Sequence, residues 1–119
     1  MTTPKPSSRV RGSATGRPVM ALLDLLGRRM SLRVLWELRE CPLTFRALQE
    51  AAETNPSVLN VRLRELREAN LVQHGPEGYE LTDLGRSLLT TFAPLNAWAG
   101  EWARSFKAPR PKARKRAPP

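Results

Sequence analysis

The fold is decided by residues 55–85, NPSVLNVRLRELREANLVQHGPEGYELTDLG, where a helix is followed by two short strands. Asn55 can accept a hydrogen bond from a first-turn N–H, which is the role of an N-cap residue. Pro56 suits the first helical position because the N–H that it lacks would have had no partner there. Asn70 tolerates the left-handed conformation that often ends a helix. Between these ends an apolar stripe predicts one buried face; it consists of Leu59, Leu63 and Leu66.

The opposite face of this helix carries residues that are suited to binding DNA. At about 100° per residue, the positions opposite the stripe are Ser57, Asn60, Val61 and Arg64. Arginine can pair bidentately with guanine, and asparagine with adenine, in the major groove. The same pattern also fits an amphipathic helix with a solvated polar face, so both interpretations stay open at this point.

The segments after this helix predict a β-hairpin. Leu71–His74 and Tyr79–Leu81 are apolar-rich and are separated by Gly75-Pro76-Glu77-Gly78. Glycine adopts positive φ at no steric cost, so this composition predicts a turn. Thr82 then suits the N-cap of a last helix. A helix that leads directly into a two-stranded wing indicates a winged helix-turn-helix, and the alternative is an ordinary surface hairpin.

The preceding residues predict three short helices. Val19–Gly27 is apolar enough for the first, and Ser31 can cap a second that Cys41-Pro42 ends. Thr44 can cap a third, and Glu53-Thr54 then forms the turn into the fourth. The third and fourth helices therefore form the helix-turn-helix pair. The predicted fold class is mainly α with a small β-hairpin, flanked by dimerisation helices.

The last helix, 83–106, has an apolar stripe that is longer than a core of this size can cover. Its near-heptad spacing is typical of helices that pack on helices, and an exposed stripe favours association. We therefore expect a homodimer held by the first and last helices. The residues assigned to this interface are Leu22, Leu23, Leu26, Leu88, Phe92, Leu95, Trp98 and Trp102. The alternative is that the last helix folds back over its own subunit.

The net charge of +9 is concentrated at the two ends of the chain. Residues 1–19 hold four Lys or Arg and no acid, and residues 107–119 hold six and no acid. Residues 20–106, between these ends, contain ten arginines and all eleven acidic residues of the chain. The composition predicts a disordered arm (1–18) and a disordered tail (107–119) around a folded domain (19–106). These segments can contact the DNA backbone, and the alternatives are a solubilising tail or a tether to a membrane surface. The assigned backbone contacts are Arg17, Lys112, Arg114, Lys115 and Arg116.

Several classes of function find no support in the sequence. No apolar run approaches the roughly 20 residues of a membrane span, so we expect a cytoplasmic protein. Cys41 is the one cysteine and His74 the one histidine, which leaves no cluster of metal ligands and no nucleophile with a base. We expect no cofactor, no metal and no enzymatic activity. Cys41 is interpreted as a half-buried structural residue, and His74 as a hairpin side chain.

The chain resembles the HxlR-type branch of the MarR-like winged-helix transcriptional regulators. The matching segments are VMALLDLLGRRMSLRVLWEL (19–38), CPLTFRAL (41–48), NPSVLNVRLRELREANLV (55–72) and YELTDLGRSLL (79–89). This resemblance implies a small, cytoplasmic, dimeric regulator that binds operator DNA with its winged helix. Two-fold pairing would set the recognition helices about one DNA turn apart, the spacing of a palindromic operator.

The chain departs from the pattern of this family at four places. Arg17 stands where some members have a redox-sensing cysteine, and Arg28-Arg29-Met30 replaces Gly-Lys-Trp. The third helix opens with Thr44-Phe45 instead of Arg-Phe, and we include Thr44 and Arg46 among the candidate DNA contacts. The wing is short and has no basic residue at its tip, which puts a contact between wing and DNA in doubt.

The sequence thus predicts a sequence-specific regulator whose partners are double-stranded DNA and a second copy of the chain. The alternative is a module of low DNA specificity, or a protein-interaction module, that uses the same fold. These two classes differ in the ratio of affinities for operator and random DNA at one salt concentration.

Overall fold

The computed structural model describes residues 17–107 of the 119-residue chain. The predicted disordered segments lie almost entirely outside the described residues. Four of the assigned backbone contacts lie outside them too: Lys112, Arg114, Lys115 and Arg116. The chain divides into two compact units, with the boundary between Leu89 and Thr90.

The described residues form five helices and one antiparallel hairpin. In chain order these are α1 (Pro18–Leu26), α2 (Ser31–Glu37), α3 (Phe45–Ala52), α4 (Pro56–Glu68), β1 (Val72–Gly75), β2 (Gly78–Leu81) and α5 (Asp83–Lys107). The predicted fold class, mainly α with a small β-hairpin, is confirmed. Among these helices none is both long and apolar enough to span a bilayer.

The core of the first unit is built on the predicted stripe of α4. Its three leucines are each at most 2% exposed: Leu59, Leu63 and Leu66. The other elements contribute side chains that are just as buried, among them Val34, Leu35, Leu48 and Leu81. Burying one such side chain contributes about 1.5–3 kcal/mol. This packing therefore fixes which face of α4 points away from the core.

Polar side chains begin α3, α4 and α5 as the sequence predicts. Thr44 Oγ1 accepts a hydrogen bond from the Ala47 N–H at 3.1 Å, and Asn55 Oδ1 accepts one from the Val58 N–H at 2.9 Å. The Gly85 N–H donates to Thr82 Oγ1 at 3.0 Å. These bonds satisfy donors that a first helical turn leaves without a backbone partner. Beyond the other end of α4, Asn70 has a φ of 66°, in the left-handed region.

The predicted cap and end of α2 are wrong. Ser31 is the first residue of the helix itself, because the chain turns at Met30 with a φ of 71°. This turn carries Ser31 into the core, where its Oγ is buried with no hydrogen-bond partner among the described residues. The helix also ends at Glu37, before Cys41-Pro42 is reached.

The hairpin is tighter than predicted, and a one-residue bridge joins it to the segment before α3. Gly75 pairs with Gly78, so that only Pro76 and Glu77 form the turn. The Leu43 N–H donates to the Tyr79 carbonyl at 2.9 Å, and the Tyr79 N–H donates to the Leu43 carbonyl at 2.8 Å. This one-residue bridge joins the segment before α3 to the wing. The sequence pattern did not predict it, because a single residue leaves no periodicity.

The second unit begins at Thr90, and its described residues, 90–107, are the later part of α5. The helix continues through Pro94. Its exposed apolar side chains are Leu95, Trp98, Trp102 and Phe106, each more than half exposed. The rings of Trp98 and Trp102 stack at a centroid distance of 6.4 Å, and Phe106 meets Trp102 edge-on at 5.4 Å. This unit therefore presents an aromatic stripe along one helix.

Gly78 should not tolerate a side chain. Its φ is +131°, and an added Cβ would lie 2.5 Å from the Leu43 carbonyl oxygen. We expect Gly78→Ala to lower the free energy of unfolding by at least about 1–3 kcal/mol, measured by urea denaturation. Gly100→Ala is the control, because a Cβ there meets nothing closer than 3.5 Å and helical alanine should stabilise by about 0.5–1 kcal/mol. Equal effects of both substitutions would contradict the strained approach of Gly78 to Leu43.

Candidate nucleic-acid interface

The outer face of α4 presents the residues that the sequence assigned to DNA binding. Ser57, Asn60 and Arg64 are exposed, and Val61 is half-buried. Because the leucine stripe holds the other side of α4 in the core, these side chains point away from the protein. Arg64 forms no ion pair with any described residue. The face therefore offers an unneutralised guanidinium and an amide for contacts with base edges.

Two surface grooves run along α4, one on each side of this face. The first lies between α4 and the wing and is lined by Asn60, Arg64, Arg67, Glu68, Gln73, His74 and Tyr79, among others. The second lies between α4 and the end of α1 and is lined by Leu23, Asp24, Arg28, Arg29, Val61, Arg62, Arg64 and Glu65, with Gly27. Arg64 lines both grooves. The outer face of α4 is therefore a ridge between two grooves.

A buried cluster of charges fixes the corner between α1 and α2 to the inner edge of α4. Glu65 is only 3% exposed, yet it accepts hydrogen bonds from Arg28 Nη1 at 2.6 Å and from Arg62 Nη1. Arg28 also pairs with Asp24 at 3.3 Å. Arg62 Nε donates to the Arg29 carbonyl at 2.7 Å. A buried carboxylate is tolerated when it is paired and hydrogen-bonded in this way.

Sequence reasoning missed this cluster. It identified Arg28-Arg29-Met30 only as a departure from a family pattern, and it assigned no role to Glu65. Glu65 lies 37 residues from Arg28. Its one visible signal is its place beside the buried Leu66, in the arginine-rich segment RLREL.

The wing presents carboxylates instead of cations. Its two-residue tip contains Glu77, which is exposed, and Gln73 Nε2 donates to Glu80 Oε2 at 2.7 Å across the strands. His74 lies on β1 with its ring 4.5 Å from that of Tyr79, so it is a hairpin side chain as predicted. The acidic tip opposes a close approach to phosphate.

The remaining candidate contacts lie away from these grooves. Thr44 uses its hydroxyl to cap α3, and the exposed Arg46 is 3.8 Å from Glu50. Neither side chain lines either groove. Arg17 is exposed, and its carbonyl accepts the first hydrogen bond of α1, from the Met20 N–H at 3.0 Å. Cys41 is exposed, so its interpretation as a half-buried residue is wrong.

The candidate dimer residues differ in what they offer to a partner. On α1, Leu23 is 53% exposed and Leu22 is half-buried, but Leu26 is only 5% exposed and belongs to the core of its own subunit. On α5, Leu88 and Phe92 are half-buried. The most exposed members are Leu95, Trp98 and Trp102.

Comparison with known proteins identifies the fold and the family. The family model described as HxlR-like helix-turn-helix matches residues 25–107. The chain belongs to the HxlR-like helix-turn-helix family. This membership confirms the predicted class of protein, a DNA-binding transcriptional regulator with a helix-turn-helix domain. An uncharacterized HTH-type transcriptional regulator of Methanocaldococcus jannaschii is 25% identical over 88 residues, which are 70% of this chain and 83% of the relative.

Solved structures confirm the winged helix-turn-helix architecture of this HxlR-like protein. Quinone-bound YodB from B. subtilis matches with a TM-score of 0.66 and 27% identity, over 70% of this chain and 96% of that one. A protein from Enterococcus faecalis V583, assigned to the MarR family of transcriptional regulators, matches with a TM-score of 0.68. At 22% identity over 84% of this chain and 98% of that one, it shows a common fold.

The HxlR-like domain should depend strongly on Glu65. Glu65→Gln removes the carboxylate that Arg28 and Arg62 share, at 12% and 18% side-chain exposure, and leaves Arg28 with Asp24 as its ion-pair partner. Breaking a buried ion pair in this way costs about 3–5 kcal/mol, which urea denaturation would measure. Glu50→Gln is the matched control on α3, because its pair with Arg46 is exposed and should contribute at most about 1 kcal/mol. A loss at Glu65 no larger than that at Glu50 would show that the cluster does not stabilise the fold.

Proposed function

We propose that this chain is a sequence-specific transcriptional regulator that binds a palindromic operator as a homodimer in the cytoplasm. The observation that carries the proposal is the outward face of α4, where Asn60 and Arg64 stand exposed on a ridge between two grooves. In helix-turn-helix proteins the second helix of the pair enters the major groove and its outer residues contact base edges. Ser57, Asn60, Val61 and Arg64 are the base-reading residues in this proposal.

The secondary DNA contacts follow the same arrangement. Thr44 and Arg46 at the start of α3 are proposed to approach the DNA backbone, since the first helix of the pair crosses it in proteins of this kind. The basic residues of the two terminal segments, with Arg17 at the edge of the folded part, are proposed to add contacts to phosphate that do not depend on sequence. The function proposed here is binding, without catalysis and without a cofactor.

A selection experiment tests sequence specificity. The full chain is incubated with random duplexes of about 30 base pairs, which hold two half-sites one helical turn apart, and bound molecules are amplified and sequenced. We expect enrichment of an inverted repeat. Affinities for the selected duplex and a scrambled duplex are then compared at one salt concentration. Equal affinities would favour the alternative of a DNA-binding module with low specificity, and absence of binding to either would favour a protein-interaction module.

Arg64 should carry part of that specificity. Arg64→Ala should weaken binding to the selected duplex by about 1–3 kcal/mol if the guanidinium contacts a base, and it should weaken binding to the scrambled duplex much less. Fluorescence anisotropy titrations with both duplexes measure this difference. Equal losses on both would make Arg64 a phosphate contact, and no loss would place α4 away from the DNA.

Assembly through α1 and α5 is the second part of the proposal. It is supported by the exposed side chains of α1 and by the aromatic stripe of α5, because exposed apolar patches of this kind favour association. A dimer sets two copies of α4 at a fixed separation, and this separation selects the spacing of half-sites in DNA.

Trp102→Glu should convert the dimer into a monomer. The substitution places a charge in the aromatic stripe, where burial without a partner is costly. Sedimentation velocity at micromolar concentration should show a dimer for the wild type and a monomer for Trp102→Glu. Trp36→Glu is the control, because Trp36 is 47% exposed on α2 and lies outside the proposed interface. A monomeric wild type refutes the dimer, and a dimeric Trp102→Glu protein moves the interface elsewhere.

A further inference from the structure

The arginines of the first unit differ in whether they are neutralised. Six of them form ion pairs with carboxylates: Arg28, Arg33, Arg39, Arg46, Arg62 and Arg86. Among the described residues of this unit, four form none: Arg17, Arg29, Arg64 and Arg67. The last three line the grooves beside α4 and are exposed. Unneutralised charge in this unit is therefore concentrated around α4. Of the ten arginines in residues 20–106, Arg104 on α5 is the one other described arginine without an ion pair.

These three arginines are arranged across α4 in a fixed order. Arg64 lines both grooves and so lies on the ridge between them. Arg67 lines the groove on the wing side, and Arg29 lines the groove on the α1 side. At about 100° per residue, Arg67 and Val61 fall on opposite sides of Arg64, which agrees with this assignment. One cation is therefore on each flank of the base-reading face.

The backbone of Arg29 is held against α4 by a hydrogen bond. Its carbonyl accepts a hydrogen bond from Arg62 Nε at 2.7 Å, and Arg62 is paired in turn with the buried Glu65. The preceding residue, Arg28, binds the same Glu65 carboxylate. The loop between α1 and α2 is therefore fastened to α4 at the residue that carries the free guanidinium. The acids that line this groove, Asp24 and Glu65, are already engaged by Arg28.

The dimensions of the major groove indicate which part of the DNA would lie next to these arginines. The major groove is about 12 Å wide and a helix with its side chains is about 10–12 Å across. A helix seated in the groove therefore has one phosphate backbone along each flank. Cations on the flanks meet phosphates, whereas the acidic tip of the wing at Glu77 would be repelled by them.

We propose that Arg29 and Arg67 are phosphate contacts, one for each DNA backbone that borders the major groove occupied by α4. This inference rests on the proposed function and extends it to residues outside the base-reading face. The wing-side contact is assigned to Arg67 of α4 and not to the tip of the wing. Glu68, which lines the same groove, limits how closely a phosphate approaches on that side.

The salt dependence of DNA binding tests the proposal. Affinities of the full-length wild type, Arg29→Gln, Arg67→Gln and the double variant are measured over a range of NaCl concentrations, on the selected duplex and on a mixed-sequence duplex. Each lost phosphate contact should flatten the slope of log K against log salt by about 0.9. Because each substitution removes one contact from both subunits of the proposed dimer, a single variant should lose about 1.8 and the double variant about 3.6. Both duplexes should show the same change, because phosphate contacts do not depend on sequence.

Arg39→Gln is the matched control. It removes one positive charge from an exposed arginine that lines neither groove and lies over the ring of Trp36. We expect its slope to stay close to that of the wild type. A flattening as large as that of Arg29→Gln would mean that only net charge matters, which overturns the proposal. Circular dichroism melting of all variants checks that these surface substitutions leave the fold intact.

Phosphate ethylation interference on the selected duplex locates each contact. Within each half-site, Arg29→Gln should remove interference at a phosphate of one strand, and Arg67→Gln at a phosphate of the other strand across the same major groove. The two-fold axis should repeat this pattern with the strands exchanged in the second half-site. Loss at phosphates of only one strand within a half-site, or no loss for either variant, overturns the two-sided arrangement. If the wild type binds all duplexes with equal affinity, the proposed sequence specificity is refuted. The phosphate contacts are then still tested by the salt slopes of the variants. A wild type that binds no duplex overturns both.

Discussion

The structure depends first on the burial of one stripe along α4. Leu59, Leu63 and Leu66 are all at most 2% exposed, and the other elements of the first unit supply the side chains around them. Because three buried leucines fix the rotation of a helix about its axis, they also fix which residues point outward. The identity of Ser57, Asn60 and Arg64 as an outer face is therefore a consequence of packing on the opposite side. The face that is proposed to bind DNA is therefore determined by which side of α4 the core leaves uncovered.

Electrostatics then determines how that helix is held and what surrounds it. Glu65 lies at the inner edge of α4, where Arg28 and Arg62 both bind its carboxylate. Isolated surface pairs contribute little, but a buried carboxylate that loses its partners is costly. The same cluster orders the loop of Arg29. Six of the ten arginines in residues 20–106 form ion pairs with carboxylates, whereas Arg29, Arg64 and Arg67 beside α4 form none among the described residues.

The sequence predicted those features that local chemistry decides. Asn55, Thr44 and Thr82 cap their helices as expected, since an N-cap needs only one side chain and the first turn of its own helix. The leucine stripe was also predictable, because helical periodicity is a property of a few consecutive turns. Comparisons with known proteins confirm the winged helix-turn-helix that these features indicated. The assignment of individual DNA contacts stays a prediction.

Features that depend on distant residues were not predictable. The bridge between Leu43 and Tyr79 joins two segments far apart in the chain, and the pairing of Arg28 with Glu65 spans 37 residues. Ser31 is a residue type that often caps helices, but the left-handed turn at Met30 places it in the core.

The central claim is that the outer face of α4 binds DNA. Backbone amide chemical shifts of the isotope-labelled full chain, titrated with the selected duplex, test it most directly. The account predicts that the largest changes map to Ser57, Asn60 and Arg64 and to the two grooves beside them. Largest changes on the outer face of α2, around Trp36, with α4 unaffected, would contradict it.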